Sequence, residues 1–219
     1  MKLKQKDIFL KNEGDAFFLR NRNTIKKQQF DFKHPIIKAI KKYKKSKKNY
    51  INSLLEIGCG EGRLLQWIST NMNINCYGID PSKKATKVAN TKKVIASVGT
   101  ADKLSFPDNK FDFIVYGFCL YLCDRSDLFR IADEANRVLK SNGFIIIHDF
   151  FTTDLKKKKY HHHNNIFSYK MDYRKIFQWH PFYECVYHEK KPYIDKKNNL
   201  KTLDYVSTSV IKKKIYNEK

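Results

Sequence analysis

The chain has 219 residues, 42% of them apolar and 14% aromatic, which excludes a disordered polymer and suits one domain with a sizeable core. Its formal net charge of +22 raises the question of nucleic-acid binding, but only seven of the 44 basic residues are Arg and the lysines are spread along the whole chain. This distribution favours a solvated surface and leaves RNA binding as the alternative.

The five cysteines are odd in number and scattered, so free thiols are expected rather than disulfides. No CxxC pair occurs at zinc-site spacing, and no metal is predicted. The first ten residues contain no apolar segment resembling a signal sequence. The longest uncharged run, 113–123, is about half a membrane span, so a soluble cytoplasmic protein without membrane partners is expected.

Residues 1–50 are polar and Lys-rich and contain no strand pattern, so two or three helices are expected there. Pro35 suits the first position of one of them, because its missing N–H has no partner at a helix start.

Apolar runs then alternate with segments of helical period, of which 125–140 is the clearest. Strands that alternate with helices imply right-handed crossovers and a parallel sheet, and runs apolar throughout are typical of strands covered on both faces. This pattern predicts an α/β, doubly wound fold. The predicted strands are Ser53–Ile57, Ile74–Ile79, Lys93–Val98, Phe113–Tyr116 and Phe144–Ile147.

After Asp149 the pattern changes. A polar segment rich in His and Lys, 150–181, leads to two strand-like runs, FYECVYHEK and LDYVSTSVIKK, with no helical period between them. An antiparallel pair at the end of the sheet is the simplest arrangement.

The stretch LLEIGCGEGRLLQWI, Leu54–Ile68, places three glycines at alternate positions directly behind an apolar run. Glycines let a ligand approach the backbone, and the start of the following helix favours negative charge. A Walker loop is excluded because Gly62 is followed by Arg and Leu instead of Lys and Ser or Thr. A nicotinamide fingerprint needs glycines at relative positions 1, 3 and 6, whereas here they stand at 1, 3 and 5.

That spacing, with Glu56 two places before Gly58, resembles the E-x-G-x-G-x-G motif of class I S-adenosylmethionine-dependent methyltransferases. The second strand ends in Asp80, and GTADKLSFPDNKFDFIVYGF resembles the family's adenine-binding stretch and fourth strand. ANRVLKSNGFIIIHDF resembles its helix, glycine turn and fifth strand. The resemblance covers Ser53 to Asp149 in order, and it is closest to the small-molecule methyltransferase type.

The resemblance implies a mostly parallel seven-stranded sheet, a Rossmann-like methyltransferase fold, with an N-terminal helical lid. Within one domain, residues 1–50 would be the lid and 51–150 the S-adenosylmethionine-binding core. Residues 151–219 would supply a substrate-side insert and the terminal antiparallel strands.

The resemblance also implies cofactor contacts. Asp80 would accept hydrogen bonds from both ribose hydroxyls, and Asp102 would accept one from the adenine amino group. Arg20 in the lid would pair with the methionine carboxylate, while Gly117 and Phe118 would line the methionine end. The full set of implied cofactor residues is Arg20, Glu56, Gly58, Cys59, Gly60, Gly62, Asp80, Pro81, Ala101, Asp102, Gly117 and Phe118.

Each of these residues also has a plainer interpretation. Glu56 could cap the loop that follows it, Asp80 could start the helix at Pro81, and Arg20 could lie on a surface helix. The agreement of four signals in the correct order favours the methyltransferase interpretation.

The sequence motifs define the catalytic residues less well than they define the cofactor residues. After the fourth strand, 116–119 lacks the Asn/Asp-Pro-Pro-aromatic run of enzymes that methylate bases or glutamine, a Pro-Cys nucleophile, and acidic metal ligands. Histidine titrates near neutrality and can act as a base. His162 and Asp149 are the catalytic candidates, with an exposed loop as the alternative for the histidine run. Predicted substrate contacts are Tyr121, His148, His161 and Tyr169.

The favoured hypothesis is therefore a methyltransferase that uses S-adenosylmethionine to methylate oxygen or nitrogen of a small molecule. Its rivals are an RNA methyltransferase that uses a Lys-rich surface, and a protein that binds the cofactor without turnover.

Overall fold

The computed structural model describes residues 3–44, 52–92, 94–195 and 200–215. Nine strands are present in these ranges, seven of them in one sheet and two in a separate hairpin. The strands are β1 (Ser53–Ile57), β2 (Asn75–Asp80), β3 (Ile95–Val98), β4 (Phe111–Gly117), β5 (Leu139–Phe151), β6 (Lys156–Lys159), β7 (Phe167–Lys170), β8 (Tyr183–Asp195) and β9 (Leu200–Lys213).

The sheet has the order β3-β2-β1-β4-β5-β9-β8, in which the first five strands are parallel and β9 and β8 are antiparallel to their neighbours. The prediction of a doubly wound, mostly parallel seven-stranded sheet is confirmed. Strands β1 and β4 lie at its centre and are buried almost throughout, as their continuous apolar runs require.

Helices cover both faces of the sheet. One buried cluster joins α3 and α4 to one face, and a second joins α6 and α7 to the other. The helices are α1 (Gln5–Ile8), α2 (Gly14–Lys26), α3 (Pro35–Lys44), α4 (Arg63–Met72), α5 (Lys83–Asn90), α6 (Leu128–Val138) and α7 (Lys175–Gln178), with π-helical Phe9–Glu13 and the 3₁₀ turns Leu120–Leu122 and Arg125–Asp127. None of the described helices is both long and apolar enough to cross a membrane.

The segment before α2, residues 4–13, forms a strap across the carboxyl ends of the strands. The buried Gln5 side chain donates to the carbonyls of Leu122 (2.8 Å) and Phe167 (3.1 Å) and accepts from the Phe167 N–H (2.7 Å). Ile8 of the strap packs with Ile166 beside the β6–β7 hairpin. The strap therefore joins the loop after β4 to that hairpin.

The hairpin lies inside 150–181, where the sequence predicts no regular structure. Its first strand is four exposed lysines, and an apolar pattern is missing because the strand covers no core. The long pair β8–β9 confirms the predicted antiparallel end of the sheet.

Candidate functional site

Two cavities adjoin at the carboxyl ends of β1, β2 and β4. We call the smaller one, of about 140 Å³, the Asp102 cavity, and the larger one, of about 330 Å³, the His148 cavity. Ligands of doubly wound sheets bind at this edge. The wall that the two cavities share consists of Gly14, Phe17, Gly58, Asp80 and Phe118.

The glycine loop after β1 follows a left-handed path. Gly58, Gly60 and Gly62 have φ angles of 78°, 53° and 67°, which side chains rarely adopt. A Cβ on Gly60 would meet no atom within 4 Å, so the backbone there faces open space. The sequence uses glycine at these positions for the turn and for close approach to the backbone.

Asp80 joins this loop to the next one. Its Oδ2 accepts the Gly60 N–H at 2.8 Å, and its Oδ1 accepts the Ser82 N–H at 2.9 Å. Burial raises the pKa of Asp80, and the two backbone hydrogen bonds oppose that shift. Each carboxylate oxygen keeps a lone pair for a ligand.

Glu56, two residues before the glycine loop, is a buried carboxyl whose Oε2 has no hydrogen-bond partner among the described residues. Burial raises its pKa to about 8, with a further contribution from the charge of Asp80. A Cβ on Gly117 would lie 3.6 Å from Glu56 Oε1, so only a residue without a side chain leaves this carboxyl uncovered. An unpaired buried carboxyl favours a positively charged or hydrogen-bonding ligand.

At the other end, the buried Asp102 carboxylate is paired with Lys6 of the strap. Lys6 Nζ also lies 3.0 Å from Asp127 Oδ2. Burial acts to raise the pKa of Asp102, but the hydrogen bond and charge of Lys6 outweigh it and lower that pKa. Asp102 is therefore an anionic acceptor at the end of its cavity.

The His148 cavity is bounded by aromatic side chains from distant parts of the chain. The His148 ring centroid is 5.0 Å from that of Phe118 and 6.1 Å from that of His34, which immediately precedes α3. Burial lowers the pKa of His148 to about 4, with smaller contributions from the charges of His34 and Lys191. A neutral imidazole therefore faces this cavity at neutral pH.

Most of the residues predicted from the sequence meet at these two cavities. Gly62 instead ends the loop as the N-cap of α4, where a Cβ would lie 3.0 Å from that of Ala89. The predicted residues that line one or both cavities are Glu56, Gly58, Cys59, Gly60, Asp80, Pro81, Ala101, Asp102, Gly117, Phe118, Tyr121 and His148.

Arg20 is outside both cavities. Its guanidinium donates to Glu13 Oε1 at 2.5 Å and to the Tyr160 hydroxyl at 2.9 Å, so it joins α2 to the β6–β7 hairpin. The expected pairing with a methionine carboxylate would require these bonds to break. Arg63, which follows the glycine loop directly, lines the His148 cavity instead, with its Nε buried and unpartnered among the described residues.

Asp149 also lies outside the cavities, because neighbours on a strand point to opposite faces and His148 takes the cavity side. It is fully buried, accepts from the Tyr121 N–H (3.3 Å) and the Phe150 N–H (2.8 Å), and has a pKa raised by burial to about 7. Asp149 thus holds the turn after β4 and does not line the cavities, so its catalytic assignment stays a prediction that this placement does not favour.

The histidine run forms the turn of the β6–β7 hairpin. His161 and His162 are exposed there and line neither cavity. Their assignment to catalysis and substrate binding stays a prediction. The ends of the turn are anchored by the buried Ile166 and by Tyr160, and the exposed histidines lie between them. Tyr169 is likewise occupied elsewhere, with the Arg125 guanidinium 4.4 Å from its ring centroid.

The sequence predicts the N-terminal segment as a lid but does not identify the residues by which it lines the cavities. Lys6, Gly14 and Phe17 line the Asp102 cavity, and His34 lines the His148 cavity. Only His34 has a local signal, since Asp31 and Pro35 around it mark a turn that begins a helix. No cluster of three or more potential metal ligands occurs in the described ranges.

Comparison with known proteins identifies a methyltransferase domain in the chain. A family model described as a methyltransferase domain matches residues 55–147. The chain is 32% identical over 109 residues to the uncharacterized methyltransferase YcgJ of Bacillus subtilis, an alignment covering 46% of this chain and 42% of YcgJ. The chain spans less than half the length of the curated relatives it matches.

Solved structures share the fold at low identity. A chain from the complex of the Haloferax volcanii Trm112 methyltransferase activator with a putative methyltransferase superimposes with a TM-score of 0.71 at 15% identity, covering 96% of this chain and 100% of that one. The 1,6-didemethyltoxoflavin-N1-methyltransferase of Burkholderia thailandensis, solved with that compound and S-adenosylhomocysteine, gives 0.70 at 13% identity, covering 95% and 89%.

Proposed function

Because the chain belongs to the class I S-adenosylmethionine-dependent methyltransferases, with residues 55–147 as the methyltransferase domain, we propose that it methylates a small molecule at oxygen or nitrogen. The observation that carries this proposal is the unpartnered Glu56 carboxyl beside the open glycine loop and Asp80. This arrangement provides acidic groups and bare backbone where a cationic adenosyl compound needs them.

The residues fit S-adenosylmethionine at three points. Asp80 has free lone pairs for the ribose hydroxyls, and Asp102 can accept from the adenine amino group once Lys6 moves toward Asp127. Glu56 would compensate the positive charge at the methionine end. When bound, the cofactor supplies an electrophilic methyl group on a sulfonium.

The protein's own contribution is then to position the acceptor. The glycine loop and Asp80 fix one end of the cofactor, so that the acceptor can be held in line with the methyl group from the His148 side. Phe118 and Tyr121 would exclude water and support an apolar or ring-bearing acceptor.

A small-molecule acceptor is supported by the shape of the His148 cavity. Aromatic residues of the N-terminal segment cover it, and its volume of about 330 Å³ leaves little room beside the methionine end of a cofactor. A small nitrogen heterocycle is the compound in the Burkholderia thailandensis neighbour, which supports an acceptor of similar size.

Asp80→Ala tests the cofactor assignment. A hydrogen bond to a charged acceptor contributes about 1.5–3 kcal/mol, so the variant should bind S-adenosylhomocysteine roughly tenfold to a hundredfold more weakly by calorimetry. Asp133→Ala, at an exposed position of α6, is the matched control. Unchanged affinity of a folded Asp80→Ala protein would contradict the assignment.

Transfer of a labelled methyl group identifies the acceptor class. The full chain is incubated with labelled S-adenosylmethionine and either a metabolite extract, an RNA extract or buffer alone. Label in the metabolite fraction is expected. Label in RNA would support the RNA methyltransferase, and cofactor binding without transfer would support a non-catalytic protein.

A further inference from the structure

We propose that His148, fixed by Thr208 and faced by His34, is the base that accepts the proton of the methyl acceptor, whose methylated group is an O–H or N–H. This inference rests on the proposed function. His162 and Asp149, the catalytic candidates from the sequence, lie outside the cavities. His148 and His34 both line the His148 cavity.

The position of His148 follows from the register of the sheet. Strands β5 and β9 pair His148 with Thr208, and His148 Nδ1 lies 2.8 Å from Thr208 Oγ1. Nδ1 is thereby engaged on the β9 side of the ring. Nε2 has no hydrogen bond to any described residue and is the nitrogen available to the cavity. If Nδ1–H donates to Thr208, Nε2 carries the lone pair that a base requires.

His34 is held opposite by a tight turn. Asp31 Oδ1 accepts the N–H groups of Lys33 (2.8 Å) and His34 (3.1 Å), and the His34 carbonyl accepts from Lys38 N–H at 2.9 Å. His34 therefore caps α3, with Pro35 as its first residue. Its Nδ1 is buried without a partner among the described residues, so a second polar nitrogen lacks a hydrogen bond at this site.

Burial, more than the surrounding charges, favours the neutral form of both histidines. Burial is the main reason that the pKa of His34 is lowered, with Asp31 opposing it. His34, at the start of α3, and Lys191, on β8, act on His148, and their positive charges lower the pKa of His148 further. The acidic residues that line the cavity are Glu56, Glu61 and Asp80. A neutral imidazole adds no second positive charge beside a sulfonium.

The proton transfer balances without another reactant. The acceptor heteroatom forms its bond to the methyl carbon while the carbon–sulfur bond breaks and leaves its electron pair on sulfur. The heteroatom becomes positively charged as it is methylated, and for an O–H or a weakly basic ring N–H its proton is then strongly acidic late in the step. A weak base such as His148 Nε2 is then sufficient, and the proton passes from the imidazolium to water.

The tautomer of His148 can be measured without turnover. ¹⁵N-histidine-labelled protein saturated with S-adenosylhomocysteine is examined by two-bond ¹H–¹⁵N correlation spectra at neutral pH, with the His148→Asn spectrum assigning the signal. We expect Nε2 of His148 to be unprotonated, and Thr208→Val to remove this preference. A protonated Nε2 in the wild-type protein would overturn the proposal.

The second measurement uses the acceptor that becomes labelled in the extract experiment. His148→Asn should lower kcat by about 10²–10⁴-fold and leave the affinity for S-adenosylhomocysteine within twofold. His34→Asn should chiefly raise KM for the acceptor. His188→Asn is the matched control, because His188 Nδ1 lies 2.9 Å from Ser209 Oγ in the same kind of pair but His188 lines neither cavity.

Two failures are distinguishable in this design. A wild-type protein that neither binds S-adenosylhomocysteine nor labels any extract contradicts the proposed function. A wild-type protein that transfers methyl groups, together with a His148→Asn variant of unchanged kcat, contradicts only the assignment of the base.

Discussion

At the scale of single residues, Glu56 shows how a fold sets the protonation of a side chain. The strand places the carboxyl at the buried base of a cavity, and burial raises its pKa to about 8. A protein without ligand therefore carries Glu56 largely as the neutral acid at pH 7.

Glu56→Gln should change the pH dependence of stability. Between the unfolded value of 4.5 and about 8, the folded wild type holds this proton more tightly than the unfolded chain, so its stability falls as pH rises. Glutamine has no such dependence. The difference in Tm, variant minus wild type, should therefore increase by about 3 °C for each pH unit between pH 5 and 8.

Scanning calorimetry of both proteins without ligand measures this difference. Other groups, including Asp149, titrate in both proteins and cancel in the comparison. A constant gap in Tm across this pH range would show that Glu56 is ionised in the folded protein throughout.

We expect the Glu56 carboxyl to release its proton when the cofactor binds. The cationic methionine end of S-adenosylmethionine favours the ionised form of Glu56, so binding at pH 7 should release up to about one proton. Calorimetric titrations in phosphate and in Tris, which differ in ionisation enthalpy, report that number. Glu56→Gln should abolish the release, and equal release from both proteins would assign it to another group.

Single residues also show which parts of the candidate site can be predicted from the sequence alone. The glycine loop and Asp80 are predictable because their role is local: three left-handed positions and one carboxylate at the end of the neighbouring strand. His34 is not predictable, because only packing of α3 on the sheet brings it to His148. Strand alternation alone predicts that the side chains of His148 and Asp149 point to opposite faces of the sheet, so that only one of them can face a given cavity.

At the scale of elements, α2 is fitted closely to the turn between β2 and α5. Asp15 Oδ1 accepts from the Ser82 hydroxyl at 2.6 Å and from the Lys84 N–H at 3.0 Å, so a residue of α2 completes the cap of α5. Burial of Ser82 under α2 strengthens this junction. Helices in the N-terminal segment are predictable from composition, but their docking site is not, since its contacts join residues that are distant in the chain.

Gly14→Ala tests this docking. The added Cβ would lie 2.8 Å from the Phe9 carbonyl oxygen, 3.0 Å from Ser82 N and 3.1 Å from the Pro81 carbonyl carbon, all of them backbone atoms. Because these atoms cannot move aside, α2 must shift. We expect a loss of about 1–3 kcal/mol in the free energy of unfolding and weaker binding of S-adenosylhomocysteine.

Urea unfolding and calorimetric titration measure the two effects. Asn23→Ala, at an exposed position of the same helix, is the control. A Gly14→Ala protein with unchanged stability and cofactor affinity would show that α2 is not docked closely on this turn.

At the scale of the whole molecule, 44 basic residues face only 22 acidic ones. Several acidic side chains are held by more than one cation, as Glu61 is by Arg22 and Lys92, each at 3.6 Å. The remaining positive charges repel one another, which disfavours the compact state at low ionic strength. Composition predicts this property completely, whereas the order of the strands needed both the family resemblance and the alternation of elements.

Added salt should therefore stabilise the protein. Raising NaCl from about 10 to 150 mM shortens the Debye length from ~30 Å to ~8 Å, and Tm should increase. The double variant Lys158→Glu/Lys159→Glu, at two exposed positions of β6, should show a smaller increase because it lowers the net charge by four. A Tm that falls with salt would mean that attractive ion pairs outweigh the repulsion.

Phe118 contributes an aromatic side chain to the wall that the Asp102 cavity and the His148 cavity share. Phe118 adopts a left-handed φ of 49°, stays 39% exposed, and is held through its N–H by the His148 carbonyl at 2.8 Å. A glycine there would relax the backbone and widen the opening between the two cavities, while Asp80 and the strands of the sheet would stay unchanged.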